Sequence, residues 1–144
     1  MHILEKEMDK LEGKTALVIG RSNIVGKPLA QMLLDANCTV VVAHSHTPEP
    51  VLQDMCSLAD IVISAVGKAN FLDLYYCDGD IVVDVGINRD ENGKLCGDCY
   101  GFTDEIFDWV KVTPVPGGVG LLTRAMLMQN VLEASTPLYW GDVK

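Results

Sequence analysis

Thr15-Ala16-Leu17-Val18-Ile19, followed by Gly20-Arg21-Ser22-Asn23-Ile24-Val25-Gly26, decides the fold. The first five residues are a mostly apolar run bounded by Gly13 and Gly20, which suits a strand buried on both faces of a parallel sheet. Helical periodicity follows over residues 25–36, through Leu29, Met32 and Leu33. Pro28 falls in the first turn of that helix, where its missing N–H is no loss. A strand, a glycine-bracketed turn and a helix together offer free backbone N–H groups to a phosphate, and the helix dipole adds partial positive charge there. Gly20 turns the chain sharply off the strand, and Gly26 lets the helix start close to the sheet or to a ligand. The spacing is G-x5-G, whereas the usual dinucleotide turn reads G-x-G-x-x-G. Position carries the reading: this is the first strand-to-helix turn of a βαβ unit, where such turns bind dinucleotides.

Outward from the turn, strands and helices alternate. Residues 3–11 place Leu4, Met8 and Leu11 at helical spacing among charges, so residues 1–13 form a lead-in helix. A β-branched strand is predicted over 39–43, then a helix through 52–58 with Thr47 as its N-cap. Residues 61–65 and 81–85 read as two more strands. Asp90-Glu91-Asn92-Gly93 is a turn signal that makes 87–95 a small hairpin. A short helix over 104–110, a strand over 112–115, a flexible Gly117-Gly118-Val119-Gly120 loop and an amphipathic helix over 122–134 complete the pattern. The alternation predicts one α/β domain over 1–144, a Rossmann-type, doubly wound, mostly parallel sheet, with a C-terminal helix and tail from 122.

Composition narrows the partners. The chain has 144 residues, an apolar fraction of 49% and a formal charge of -9. That charge argues against nucleic acid and against an anionic membrane surface, since both need a basic face. No apolar run reaches the roughly 18 residues of a membrane span, and the charged N-terminal helix does not read as a signal peptide. Five cysteines, an odd number, read as reduced thiols in a cytoplasmic protein. Cys96-Gly97-Asp98-Cys99 has the spacing of half a zinc site, but no second pair follows it, so no metal is expected.

The end of the second strand bears on which dinucleotide is bound. An NAD site places Asp or Glu there, about 20 residues beyond the glycine turn, to accept from ribose hydroxyls. This chain has His44-Ser45-His46-Thr47, with no carboxylate in place. Together with Arg21 in the turn, these residues favour NADP over NAD. The plainer reading is that Arg21 pairs with a surface carboxylate and His44 packs at the sheet edge. Ala65-Val66-Gly67 and Val85-Gly86-Ile87 stand at the carboxyl ends of the third and fourth strands, the side of an open parallel sheet on which ligands bind. As isolated glycines, Gly67 and Gly86 also fit as loop punctuation.

These residues resemble a known family. The run Gly20 to Pro28 is similar to the cofactor loop of the methylenetetrahydrofolate dehydrogenase/cyclohydrolase enzymes. The segments beginning at Ala43, Ala59 and Val83, and Thr113-Pro114-Val115-Pro116-Gly117-Gly118-Val119-Gly120, resemble the later parts of the same domain in order and spacing. The resemblance implies NADP binding, oxidation of methylenetetrahydrofolate by hydride transfer, and hydrolysis of the product to 10-formyltetrahydrofolate. It implies that Gly20, Arg21, Ser22, Val25 and Gly26 hold phosphates and ribose, and that Ser45, His46 and Arg21 meet the 2′-phosphate. Ala65, Val85, Gly86, Ile87 and Thr123 would line the nicotinamide side, and Gly117, Gly118 and Val119 would face the folate cleft.

Three departures qualify it. The family's folate domain, with its catalytic lysine, tyrosine and aspartate, would precede the cofactor domain, and its residues are absent before the first strand. No residue of this chain is therefore assigned a catalytic role, and folate is expected only with that domain. Leu121 stands where the family commonly has proline. His46 replaces the usual Lys or Arg after Ser45, which weakens 2′-phosphate binding or makes it pH-dependent, since a free histidine is cationic only below about pH 6.5. Lys14, Lys27 and Lys68 are read as solvated rather than as substitutes for the lysine. The chain alone is expected to bind cofactor without turnover, because hydride transfer needs a second wall that orients the folate. Two other readings stand beside this: a non-catalytic dinucleotide-binding or interaction module, and a different dehydrogenase of the same fold, against which Pro116-Gly117-Gly118-Val119-Gly120 argues. The hairpin at 90–93 resembles the element through which the family pairs cofactor domains, so a homodimer is expected. Pro137, Tyr139 and Trp140 fall beyond the last helix, either exposed or packed on the sheet.

Overall fold

The computed structural model describes residues 1–135. The chain opens with α1 (His2–Glu7), then runs through β1 (Thr15–Ile19), α2 (Gly26–Asp35), β2 (Thr39–Ala43), α3 (Glu49–Leu58) and β3 (Ile61–Ser64). There follow β4 (Leu72–Asp73), a 3-10 turn at Leu74–Tyr76, β5 (Ile81–Asp84), β6 (Asn88–Arg89) and β7 (Leu95–Cys96). The last elements are β8 (Cys99–Tyr100), α4 (Asp104–Phe107), β9 (Lys111–Val112) and α5 (Val119–Ser135).

Five parallel strands form the main sheet in the order β2-β1-β3-β5-β9. The chain thus winds outward one way from β1 to β2 and the other way from β1 through β3, and the reversal leaves a crevice beyond the carboxyl ends of β1 and β3. Period-two alternation sends Leu17, Ile19, Val62 and Val82 to one face, where Cys56 of α3, Leu74 and Ile106 of α4 cover them. Ala16, Val18, Ile61, Ile63 and Val83 face the other way, onto Leu4 of α1 and Ala30 and Leu33 of α2. Burial on both faces is why these strands read as continuous apolar runs. This is the doubly wound, parallel α/β sheet expected from the sequence.

Several boundaries differ. α1 stops at Glu7, four residues short of the periodic pattern, because Met8 turns extended (φ -123, ψ 132); Met8 and Leu11 still pack on the core from the following loop. Thr47 is not the N-cap of α3. Pro48 holds that position in extended conformation, while Thr47 Oγ1 accepts from His44 N (3.0 Å) to close the preceding turn. α4 is one turn long and ends at Phe107. β9 ends at Val112 because Thr113 Oγ1 is engaged by Asp84 N (2.8 Å) and Pro114 has no N–H to pair. α5 begins at Val119, within the segment expected to be a flexible loop, and it is not amphipathic: its apolar residues lie all round it and none of them is buried. The parallel pair β4–β8 had no signal of its own, each strand being two residues long.

The hairpin forms as expected. β6 and β7 pair antiparallel, Asp90 N donates to Lys94 O (2.9 Å), and Asp90 Oδ1 accepts from Asn92 N and Lys94 N. At the amino edge of the sheet, Lys14 Nζ bridges Asp60 Oδ1 (3.3 Å) and Asp80 Oδ2 (2.7 Å). Pro137, Tyr139 and Trp140 lie outside the described residues.

Candidate functional site

The crevice is built around the turn after β1. Gly20 takes φ +124, and a side chain there would run into the Ala65 carbonyl at the end of β3. A side chain at Gly26 would strike the Gly20 carbonyl, so the start of α2 can lie against the turn only because both positions are bare. Ser22 Oγ accepts from Val25 N (3.1 Å) and Gly26 N (3.4 Å), serving as the cap that Val25 has no side-chain oxygen to provide. The N–H groups of Arg21, Ser22, Asn23 and Ile24 have no partner among the described residues. Four unspent donors in the turn that leads into a ten-residue helix are what an anionic bridge requires.

Arg21 is exposed and in no ion pair among the described residues. Lys27 is tied to Asn23 Oδ1 (2.8 Å) and Lys14 to the amino edge. Gly20 N donates to Ala43 O (2.9 Å), so the turn leaves the sheet beside the end of β2. There the residues 44–47 close on themselves: Thr47 N donates to His44 O (2.8 Å) and His46 N to His44 Nδ1 (3.2 Å). The turn leaves Ser45 and His46 exposed, with no partner for Ser45 among the described residues, and it contains no carboxylate. Two half-turns with free donors, one exposed guanidinium and no acid fit a dinucleotide carrying an extra phosphate better than one with a bare ribose.

The other residues expected at the site gather around two cavities that share Val85 and Val119. A pocket of about 200 Å³ is lined by Val85, Gly86, Ile87, Gly117, Gly118 and Val119. A wider groove of about 550 Å³ between α1, α2 and α5 is lined by Val25, Val85, Val119 and Thr123 among others. Gly20, Arg21, Ser22, Gly26, Ser45, His46 and Ala65 are outside both cavities, on the open edge formed by the ends of β1, β2 and β3. Thr123 Oγ1 donates to Val119 O (2.9 Å), so its hydroxyl proton is spent inside the helix. Ile87, one of the residues lining the first pocket, is 69% exposed.

The sequence reading missed the groups beneath this edge. Asp84 and Asp98 are 1% and 0% exposed, and every polar atom of their side chains is satisfied by donors from neighbouring loops. The available signal was an acid closing an apolar strand (Asp84) and an acid after Gly97 in the hairpin exit (Asp98). Burial, and after it the neighbouring Asp84 carboxylate, push the Cys99 thiol well above the ordinary range. Cys96 is half-buried on β7, and the described residues contain no cluster of three or more metal-ligating side chains.

Comparison with known proteins bears on this geometry. The family model described as tetrahydrofolate dehydrogenase/cyclohydrolase, NAD(P)-binding domain, matches residues 1–138. The chain is 51% identical over 141 residues to the bifunctional protein FolD of Streptococcus thermophilus, covering 94% of this chain and 47% of that protein. It is 52% identical over 136 residues to FolD of Streptococcus suis, again covering 47% of the relative. Among solved structures, FolD methylenetetrahydrofolate dehydrogenase/cyclohydrolase from Campylobacter jejuni superposes with a TM-score of 0.83 at 45% identity, over 92% of this chain and 46% of that one. The Trypanosoma brucei FolD complexed with NADP and inhibitor gives 0.79 at 34% identity, over 92% of this chain and 46% of that one. The chain spans about half the length of the relatives it matches.

Proposed function

Because this chain belongs to the tetrahydrofolate dehydrogenase/cyclohydrolase family, matching its NAD(P)-binding domain, we propose that residues 1–144 are the NADP-binding half of an enzyme of one-carbon folate metabolism. That enzyme transfers hydride from 5,10-methylenetetrahydrofolate to NADP and hydrolyses the methenyl product to 10-formyltetrahydrofolate. The observation that carries NADP is the unpaired Arg21 in a donor-rich turn, beside a strand end that offers Ser45 and no carboxylate. The Trypanosoma brucei relative bound to NADP supports the same choice.

In this reading Gly20, Arg21, Ser22, Val25 and Gly26 hold the phosphates and ribose, with the free N–H groups of residues 21–24 aimed at the phosphate bridge. Arg21, Ser45 and His46 receive the 2′-phosphate. Ala65, Val85, Gly86, Ile87 and Thr123 border the nicotinamide, Thr123 as an acceptor because its proton is already committed. Gly117, Gly118 and Val119 face the folate. When bound, the cofactor supplies the hydride acceptor. The residues of this chain bind it, orient it and keep water from one side. We assign the folate-orienting wall and the acid–base side chains to a domain outside residues 1–144, so the chain alone binds without turnover. Two copies pair through the hairpin at 90–93, and five unpaired thiols suit a reducing, cytoplasmic setting.

Calorimetric titration with NADP and NAD tests the reading. The unaltered chain should prefer NADP, and Arg21→Ala and Ser45→Ala should each remove most of that preference. Absence of binding at millimolar NADP would turn the reading to an interaction module. Steady-state assay with methylenetetrahydrofolate should show no turnover, and light scattering should show a dimer at micromolar concentration.

A further inference from the structure

Asp98 sits where three loops meet. Its Oδ2 accepts from Val66 N (2.8 Å), Gly67 N (3.0 Å) and Ser64 Oγ (3.2 Å), and its Oδ1 from Lys68 N (2.9 Å) and Asn88 Nδ2 (2.8 Å). Its own N–H donates to Asp84 Oδ1 (3.0 Å), which also accepts from Gly86 N (2.8 Å), while Asp84 Oδ2 accepts from Cys99 N (2.9 Å). No ion pair reaches either carboxylate among the described residues. The two acids therefore tie the segment after β3, the segment after β5 and the exit of the hairpin into one assembly, mostly through backbone donors, joined by the Ser64 hydroxyl and the Asn88 amide.

The tie lies directly under the backbone that borders the nicotinamide. Any side chain at Gly86 would collide with the Asp98 carboxyl group, so the carboxylate is the surface on which Gly86 rests. Oδ2 faces two backbone N–H groups and the Ser64 hydroxyl, and Oδ1 faces two N–H donors, so each oxygen position is met by at least two fixed N–H groups. An amide in the same volume must turn its NH2 toward at least two of them, and a buried donor facing donors forces the loops to move.

Resting on the cofactor reading above, we propose that Asp98 is a positioning residue for the nicotinamide half of the bound dinucleotide: it fixes residues 65–68 and 85–88 relative to each other and has no part in holding the adenosine half. The adenosine half depends on the turn at Gly20–Gly26 and on Ser45, none of which bonds to Asp98.

The test is calorimetry with two ligands, NADPH and 2′,5′-ADP, the second lacking the nicotinamide half. Asp98→Asn should weaken NADPH about tenfold, equivalent to ~1.4 kcal/mol, and leave 2′,5′-ADP within about twofold. Ser64→Ala, which removes one donor and leaves the carboxylate, should give the same split at a smaller size and serves if Asp98→Asn does not fold. Equal weakening of both ligands by Ser64→Ala, or by a folded Asp98→Asn, would overturn the role, since that is what a general structural defect produces. Unchanged NADPH affinity would overturn it as well. If the unaltered chain binds neither ligand, the cofactor reading itself falls and takes this inference with it; if it binds both and the variants bind both with unchanged affinity, only the positioning role is lost.

Discussion

His46 is the residue at which cofactor choice is most open to change. It is exposed, in the turn after β2, and its backbone N–H is held by His44 Nδ1, so the hydrogen bonds of the turn do not use its side chain, which meets only the edge of the His44 ring. A guanidinium there adds a permanent, bidentate phosphate donor. His46→Arg should tighten NADP about five- to tenfold while leaving NAD nearly unchanged, which corresponds to ~1–1.4 kcal/mol, read by parallel titration of the two dinucleotides. Asp60 acts at the opposite edge. Its carboxyl is held below the ordinary 3.8 chiefly by the N–H of Thr15 (2.7 Å), with Lys14 adding to the effect and burial opposing it. A depressed carboxylate contributes stability that is complete above its unfolded value and lost as pH falls through the folded one. Urea midpoints of the unaltered chain and Asp60→Asn should therefore differ at neutral pH and converge as pH falls below 3.8.

At the scale of elements, α2 and α5 are opposites. α2 buries Leu33 completely against the sheet, and Leu33→Ala should cost about 2–5 kcal/mol in chemical denaturation. α5 has no buried residue, and Met128→Gln, at a position 63% exposed, should stay within about 0.5 kcal/mol of the unaltered chain. The two helices also mark where the sequence was legible. Leu29 and Leu33 recur on one face of α2, so periodicity located both the helix and its side of the sheet. In α5 apolar residues recur on every face, and Gly118 and Gly120 masked a start at Val119. Thr47 misled because its hydroxyl prefers the nearer His44 N–H, a competition that composition does not reveal.

For the molecule as a whole, alternation of apolar strands with helices was enough to give a parallel, doubly wound sheet and to put the glycine turn at the crevice between β1 and β3. The Asp84–Asp98 assembly was not legible, because it joins residues from three segments mostly through backbone donors, and a pattern of side chains does not record where backbone N–H groups point. Burial of the thiols is a whole-molecule property too. Cys38, Cys56, Cys77 and Cys99 are buried, and only Cys96 is partly open. Native protein with excess maleimide should take one label promptly and the other four only on the timescale of opening, as followed by mass spectrometry.

The interlocked Gly20, Ser22 and Gly26 have a kinetic consequence. A turn whose backbone is already braced against Ala65 and capped by Ser22 has little left to rearrange when an anion arrives. Encounter then governs the association rate, which should rise in proportion to ligand concentration without a plateau. Encounter takes place in the field of a chain carrying a net -9, which on balance repels a polyanion. Added salt shortens the reach of that repulsion, to about 8 Å at physiological strength. The cofactor should therefore arrive faster as ionic strength rises, even as the same salt loosens its grip on Arg21 and hastens its departure.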